Sequence, residues 1–399
     1  MSQSQTKSPE ALVDKSRLSQ TIQSIPPSGI RRFFDLASSM EGVISLGVGE
    51  PDFVTPWNVR EAAIASLEKG YTSYTSNSGI YELREEITRY LSSSFRVSYD
   101  PEKEVLVTVG ASEGIDLALR AILDPGDEVL VVEPCYVSYD PVIRLAGGVP
   151  VPVETVIGDE FKLKPEQLEE KITARTKAVI FCFPNNPTGS IMTREELAAI
   201  ADVVGRHDLL VISDEIYAEL TYDTQHVSFA EQPGMKDRTI LLSGFSKAFA
   251  MTGWRLGYAA GPVDIIQAMM KIHQYTMLCA PIMAQIAALE ALRHGMEAKD
   301  RMVESYRQRR NYVVKAFEQI GLSCHKPQGA FYAFPRITST GLTAEEFAEQ
   351  LILKEKVAVV PGNVFSPECT DHIRCSYATS MDNLEMAVER IDRFLRGRG

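Results

Sequence analysis

The chain has 399 residues, of which 45% are hydrophobic and 24% charged, and its formal net charge at pH 7 is −12. That composition is globular and excludes a disordered chain beyond the polar first ~20 residues; the length exceeds one ordinary domain of about 100–200 residues. The negative charge argues against a nucleic-acid binder, because affinity for a phosphate backbone needs clustered Lys and Arg.

In chain order, the N-terminus MSQSQTKSPEALVDKS is polar and lacks the apolar run of a secretory signal. Pro26-Pro27-Ser28-Gly29 suits a hinge. Glu104–Val109 reads as a strand and Ser112–Ile122 as a helix, followed by a strand at Glu128–Val132 and a further helix. Lys177–Phe183 reads as a strand, and Thr193–Val204 as a helix opened by a capping box of Thr193 and Glu196. Leu209–Ser213 and Thr239–Ser243 read as strands. AVIFCF and LLVIS are apolar throughout, as in strands buried on both faces. Such β-then-α alternation predicts an α/β fold with a mostly parallel sheet between helices. The longest stretch without Lys, Arg, Asp or Glu, Ile272–Leu289, contains His273, Gln274, Pro281 and Gln285 and reads as a buried loop and helix, not a membrane span.

Near residue 295 the pattern changes. A long charged helix (Met296–Ile320) leads into short strands at Ala330–Pro335, Val357–Val360 and His372–Ser376, with helices at Thr343–Lys354 and Met381–Leu395. The expected organisation is a large domain over 57–295, a small α+β domain over 296–399, and an N-terminal segment (1–56) packing with the small domain. The six cysteines are scattered, with no C-x-x-C pair, and Cys182 reads as a small core residue. Such thiols suit a reducing cytoplasm. The dispersed histidines offer no metal-binding pair.

Ligands of open α/β sheets sit beyond the C-terminal ends of the strands, and several polar motifs fall there. Lys177–Phe183 runs into Pro184-Asn185-Asn186-Pro187-Thr188-Gly189, which alone is a turn. The next strand ends in Ser213-Asp214-Glu215-Ile216-Tyr217. A carboxylate against a buried strand needs a partner, either a nearby Arg or helix terminus or a cationic ligand nitrogen. The following strand ends in Ser243-Gly244-Phe245-Ser246-Lys247. On the surface that lysine is merely solvated; in a cleft, loss of solvation makes it a better nucleophile toward carbonyls. Arg255, in the otherwise apolar strand Trp254-Arg255-Leu256-Gly257, needs an anion, whether a salt-bridge partner or a ligand. Gly110-Ala111-Ser112 joins strand to helix, where backbone N–H groups bind phosphate or Ser112 acts as a plain N-cap. Arg374, taken alone, reads equally as a sheet-edge ion pair.

In this order, the motifs resemble those of the class I/II aminotransferases, the aspartate/aromatic/alanine type of the fold-type I pyridoxal-phosphate family. The likeness runs from Gly47-Val48-Gly49-Glu50-Pro51-Asp52-Phe53 to Arg374-Cys375-Ser376-Tyr377-Ala378, and SGFSKAFAMTGWRLGY is especially specific. It implies a seven-stranded, mostly parallel sheet in the large domain and pyridoxal phosphate as cofactor. Lys247 would carry the cofactor as a Schiff base and shuttle the substrate proton. Asp214 would pair with the ring nitrogen, Asn186 and Tyr217 with the ring hydroxyl, and Tyr136 would stack on the ring. Ala111, Ser112, Ser246 and Arg255 would hold the phosphate, with Ser243 an alternative to Ser246. Tyr74 would reach the neighbouring subunit's cofactor, which implies a homodimer with shared active sites. Arg374 would clamp the substrate carboxylate with a bidentate fork, beside Asn186 and the Gly49 backbone.

The implied activity is ping-pong transfer of an amino group from an aromatic amino acid, alanine or aspartate to a 2-oxo acid such as 2-oxoglutarate. A β-lyase would use the same machinery. In the family, dicarboxylate donors need a further cation at their distal end. Neither Gly110–Glu113 nor Tyr275–Pro281 supplies one, which favours neutral donors; Arg31 and Arg32 keep aspartate open. A cofactor-binding regulator would need a helix-turn-helix unit ahead of Gly47, and none is present. A dinucleotide-binding G-x-G-x-x-G is broken after Gly49 by Glu50-Pro51-Asp52.

Overall fold

The computed structural model describes residues 17–27, 29 and 40–397. Arg31 and Arg32, and Ser28 of the expected hinge, lie outside the described residues.

After a short strand β1 (Ile44–Ser45), the main sheet is built from β2 (Val105–Thr108), β3 (Glu128–Glu133), β4 (Val149–Glu154), β5 (Thr176–Cys182), β6 (Leu210–Asp214), β7 (Thr239–Gly244) and β8 (Gly257–Ala260). Their order is β2-β8-β7-β6-β5-β3-β4, parallel except for β8, which runs antiparallel to β2 and β7. Successive side chains of a strand point to opposite faces. On β5, Ala178, Ile180 and Cys182 join one core while Val179 and Phe181 join another. Both faces are therefore covered, as unbroken apolar strands demand, and each buried Val or Ile contributes roughly 1.5–3 kcal/mol. The helix Arg194–Arg206 opens with the expected box: Thr193 Oγ1 accepts from Glu196 N at 3.3 Å, and the Glu196 carboxylate accepts from Thr193 N at 2.8 Å.

Beyond the helix Met296–Gln319, β9 (Tyr332–Ala333) and β11 (Val360–Pro361) flank β12 (Ile373–Ser376) in an antiparallel sheet, while β10 (Val357–Ala358) pairs in parallel with β1. Here the structure departs from expectation. The single strand read at Val357–Val360 is divided between two sheets, because four consecutive buried residues carry no periodicity to mark the switch. β4, absent from the sequence reading, is masked by Pro150 and Pro152, which it tolerates at the sheet edge. The β1–β10 pairing continues as Leu46 N donates to Ala358 O at 2.8 Å and Ser376 N to Leu46 O at 2.7 Å. The chain at Gly47–Glu50 is thereby held beside β12. Among the described residues, no helix is long and apolar enough to cross a membrane.

Candidate active site

β5, β6 and β7 end side by side, with Cys182 in register with Asp214 and Asp214 with Leu242. The segments that follow them converge on one cavity of about 440 Å³. Gly49, Ala111, Ser112, Tyr136, Asn186, Asp214, Tyr217, Ser246, Lys247, Arg255 and Arg374 all line it. Tyr74 does not: it lies outside the cavity and is 81% exposed. Between the two serines the geometry is clear. Ser246 faces the cavity, whereas Ser243 donates its hydroxyl to Glu215 O at 3.2 Å.

Lys247 sits in the short helix Phe245–Ala248 directly after β7, and its Nζ donates to Gly49 O at 2.7 Å. Burial pulls its pKa from 10.5 down to about 8; Glu50 opposes the shift, and Arg374 and Arg255 reinforce it. The amine is thus closer to its neutral, nucleophilic form at physiological pH than a surface lysine. Asp214 is 4% exposed, and burial raises its carboxyl from 3.8 to about 6. The bonds it accepts from the Tyr139 hydroxyl at 2.7 Å and Ile216 N at 3.2 Å work against that rise. A carboxylate held so far from water is stabilised by a cationic partner.

One end of the cavity is an anion cradle. The helix Gly110–Ile122 is capped at Val109 with no side-chain hydrogen bond, so Ser112 is not the N-cap. Glu113 turns back to Val109 N at 2.5 Å and His273 Nδ1 at 2.7 Å. A Cβ at Gly257 would lie 2.6 Å from Ala111 N and 2.7 Å from Gly110 C, so only glycine lets β8 approach the helix start. A Cβ at Gly110 would lie 2.6 Å from Arg255 Nη2, which fixes the guanidinium against the same turn. Arg255 is not in a strand: it occupies the turn before β8 with φ 52° and donates from Nη1 to Thr252 O at 3.1 Å. The turn carries its side chain to the helix mouth, where exposed N–H groups and a guanidinium together suit a phosphate.

The other end is built around Arg374. Arg374, on β12, is 3% exposed; it donates from Nη1 to Asn186 Oδ1 at 2.8 Å and from Nη2 to Gly47 O at 2.6 Å. Its buried Nε has no hydrogen-bond partner among the described residues. The guanidinium lies over the rings of both Tyr332 and Phe365, 4.4 and 4.8 Å from their centroids. Burial draws its pKa down. Tyr332, whose hydroxyl is 2.9 Å from that of Tyr217, also lines the cavity, as do Val48, Glu50, Cys182 and Thr252. The sequence reading assigned no site role to these five. Val48 and Glu50 lie inside the recognised Gly47–Phe53 stretch, but nothing local marks Tyr332.

The chain belongs to the aminotransferases of class I and II, whose family model matches residues 41–391. A Bacillus subtilis (strain 168) protein named YugH is 60% identical over 380 residues, covering 95% of this chain and 98% of that one. The aspartate aminotransferase of Pyrococcus abyssi (strain GE5 / Orsay) is 45% identical over 382 residues, 95% of this chain and 98% of the relative. The crystal structure of the aromatic aminotransferase from Pyrococcus horikoshii OT3 is 45% identical, covers 92% of this chain and 99% of its own, and superposes with a TM-score of 0.87. The protein is a pyridoxal-phosphate-dependent aminotransferase of fold type I. The cavity suits that cofactor. It offers an amine for the aldehyde, a buried carboxylate for a ring nitrogen, and a cradle that a Cβ at Gly110 or Gly257 would fill.

Proposed function

We propose that this aminotransferase moves the amino group of an L-amino acid (aromatic, alanine or aspartate) to a 2-oxo acid such as 2-oxoglutarate by a ping-pong mechanism, with the roles that follow. The observation that carries it is the placement of two anion-binding ends, Ala111–Ser112 with Arg255 and Arg374 with Asn186, in one cavity with Lys247 and Asp214.

Lys247 would hold the cofactor and Asp214 would face its ring nitrogen. Asn186 and Tyr217 would serve the ring hydroxyl, Tyr136 the ring face, and Ala111, Ser112, Ser246 and Arg255 the phosphate. Pyridoxal phosphate, when bound, supplies the aldehyde carbon that receives the amino group and a ring that withdraws electrons from the substrate Cα. Arg374 binds the substrate α-carboxylate through its fork, aided by the Gly49 backbone, and so orients the Cα–H bond. Lys247 Nζ would take the proton from the substrate Cα and pass it to the cofactor carbon that receives the amino group; its lowered pKa suits a base working near neutrality. Asp214 remains ionised while a cation faces it. The oxo acid then reverses the sequence.

Among the described cavity residues the Lys and Arg side chains are Lys247, Arg255 and Arg374. All three are engaged in these roles, which favours a donor with a neutral side chain; aspartate stays within range, since one relative at 45% identity is named for it. The exposed Tyr74 supports a homodimer in which it reaches the partner's phosphate. The separate sheets support a large domain over 57–295 and a small one over 296–399, with the N-terminal segment (1–56) packing with the small domain. Six unpaired cysteines fit the cytoplasm.

Absorption between about 300 and 500 nm tests this directly. The cofactor-loaded protein should show a visible band that converts when a single amino acid is added without oxo acid, and the fastest amino acids name the donor. Release of pyruvate without an acceptor would favour the lyase instead. Lys247→Ala should lower turnover by ~10⁴ or more; normal transamination by that variant would remove Lys247 from the mechanism.

A further inference from the structure

We infer that Tyr332 is a positioning residue: its hydroxyl holds the Tyr217 hydroxyl in a donating orientation, and its ring fixes the Arg374 guanidinium. The inference rests on the reading that Tyr217 serves the ring hydroxyl of the cofactor and Arg374 the substrate carboxylate.

Tyr332 starts β9 in register with Ser376 of β12. Arg374 lies two residues earlier on β12, on the same face, and is therefore Tyr332's diagonal neighbour. The pairing brings the guanidinium 4.4 Å from the centre of the Tyr332 ring. At the other end of the side chain, the hydroxyl lies 2.9 Å from the Tyr217 hydroxyl. Tyr332 is 1% exposed, so this bond is formed away from bulk water. The chain is shaped around the same oxygen: a Cβ at position 49 would lie 2.5 Å from Tyr332 Oη. Gly49 is also the residue whose carbonyl receives Lys247 Nζ at 2.7 Å. One aromatic side chain thus touches the clamp, the Tyr217 hydroxyl and the segment that meets the lysine.

Direction matters in a hydroxyl pair. Each hydroxyl has one proton to give and two lone pairs. When Tyr332 donates to Tyr217, Tyr217 keeps its own proton for an acceptor in the cavity. The titratable and charged groups facing the pair are Arg374, Cys182 and Tyr136, with the Lys247 amine 5.9 Å from the Tyr217 ring centre. Arg374 is a donor only and cannot take the Tyr332 proton.

The test is a pH titration of the visible absorption of the cofactor-loaded enzyme, with kcat and KM, for wild type, Tyr217→Phe, Tyr332→Phe, Tyr332→Leu and the double phenylalanine variant. A hydrogen bond donated to the ring oxygen draws charge from it and lowers the pH midpoint of the bound cofactor. Tyr217→Phe should therefore raise that midpoint. Tyr332→Phe should raise it in the same direction by on the order of half a pH unit. Because Tyr332 acts through Tyr217, the double variant should match Tyr217→Phe alone. Tyr332→Phe keeps the ring over Arg374 and should leave KM for the amino acid within about twofold, whereas Tyr332→Leu should raise it about tenfold. The inference is overturned if Tyr332→Phe keeps the wild-type midpoint while Tyr217→Phe moves it, or if the two shifts add. An unmoved midpoint in Tyr217→Phe would remove the underlying reading of Tyr217 and the inference together.

Discussion

The two ends of the cavity attract anions by different physical means. At the Gly110–Ser112 end, the donors are backbone N–H groups of an uncapped helix start, and β8 is brought against them by the missing Cβ of Gly257. At the other end, a single guanidinium is 3% exposed, lying over two rings and tied by two hydrogen bonds to Asn186 and Gly47. Backbone donors cannot swing away, so the first end suits an anion that stays. The Arg374 charge, held out of water with Nε unpartnered among the described residues, gains most when a carboxylate arrives. That suits an anion which enters and leaves with every half-reaction. On the proposed roles, the difference means that cofactor affinity and substrate affinity are built from separable parts.

Of changes at the two ends, removing the clamp should produce the larger effect. Arg374→Ala leaves Asn186 Oδ1 and Gly47 O without their donor as well as deleting the charge. Truncating a buried, hydrogen-bonded charge costs about 2–5 kcal/mol, so kcat/KM should fall ~10²–10³-fold. Cofactor affinity should stay within about threefold, as for an independent site. Steady-state kinetics alongside a cofactor titration would show this, and an equal loss in both would break the separation. Gly257→Ala is the reciprocal change. Its methyl meets backbone atoms on both sides, at 2.6 Å from Ala111 N and 2.9 Å from Ser243 O. Overpacking of this kind costs about 1–3 kcal/mol, and cofactor affinity should weaken ~10-fold or more. KM for the amino acid, measured at saturating cofactor, should barely move. A raised KM with intact cofactor binding would reverse the assignment of the two ends.

The cradle was more legible in the sequence than the clamp's surroundings. Lys247, Asp214 and Asn186 stand at or just beyond the ends of apolar runs, and a parallel sheet must bring such positions to one edge. The strand-to-helix junction Gly110-Ala111-Ser112 flagged the cradle. Arg255 lines the cavity as expected but sits in a turn, not a strand, because an apolar stretch around one Arg does not reveal a φ of 52°. Tyr332 was not legible at all. Its importance comes from register with Ser376, more than forty positions away, and no local pattern encodes a pairing at that distance. The division between β10 and β11 was hidden for a related reason: Val357 to Val360 are all buried, whichever sheet they join.

Asp214, in the same cavity, separates the demands of the loaded and unloaded protein. Without cofactor its carboxyl is buried, and its pKa stands at about 6 against an ordinary 3.8. A folded pKa above the unfolded one contributes stability that is complete below pH 3.8 and lost as pH rises through about 6. At pH 8 the folded, cofactor-free chain therefore carries an ionised carboxylate in poor surroundings. Asn in its place can still accept from the Tyr139 hydroxyl but carries no charge. Cofactor-free Asp214→Asn should be more stable than wild type at pH 8 by about 1–2 kcal/mol, with the gain fading as the pH falls below about 6. Urea unfolding of the stripped proteins at several pH values measures this. With cofactor bound the ranking should invert, because the amide cannot pair with a protonated ring nitrogen. A stripped variant no more stable than wild type at pH 8 would show that Asp214 already has a cationic partner, and the cavity floor would then be complete before the cofactor arrives.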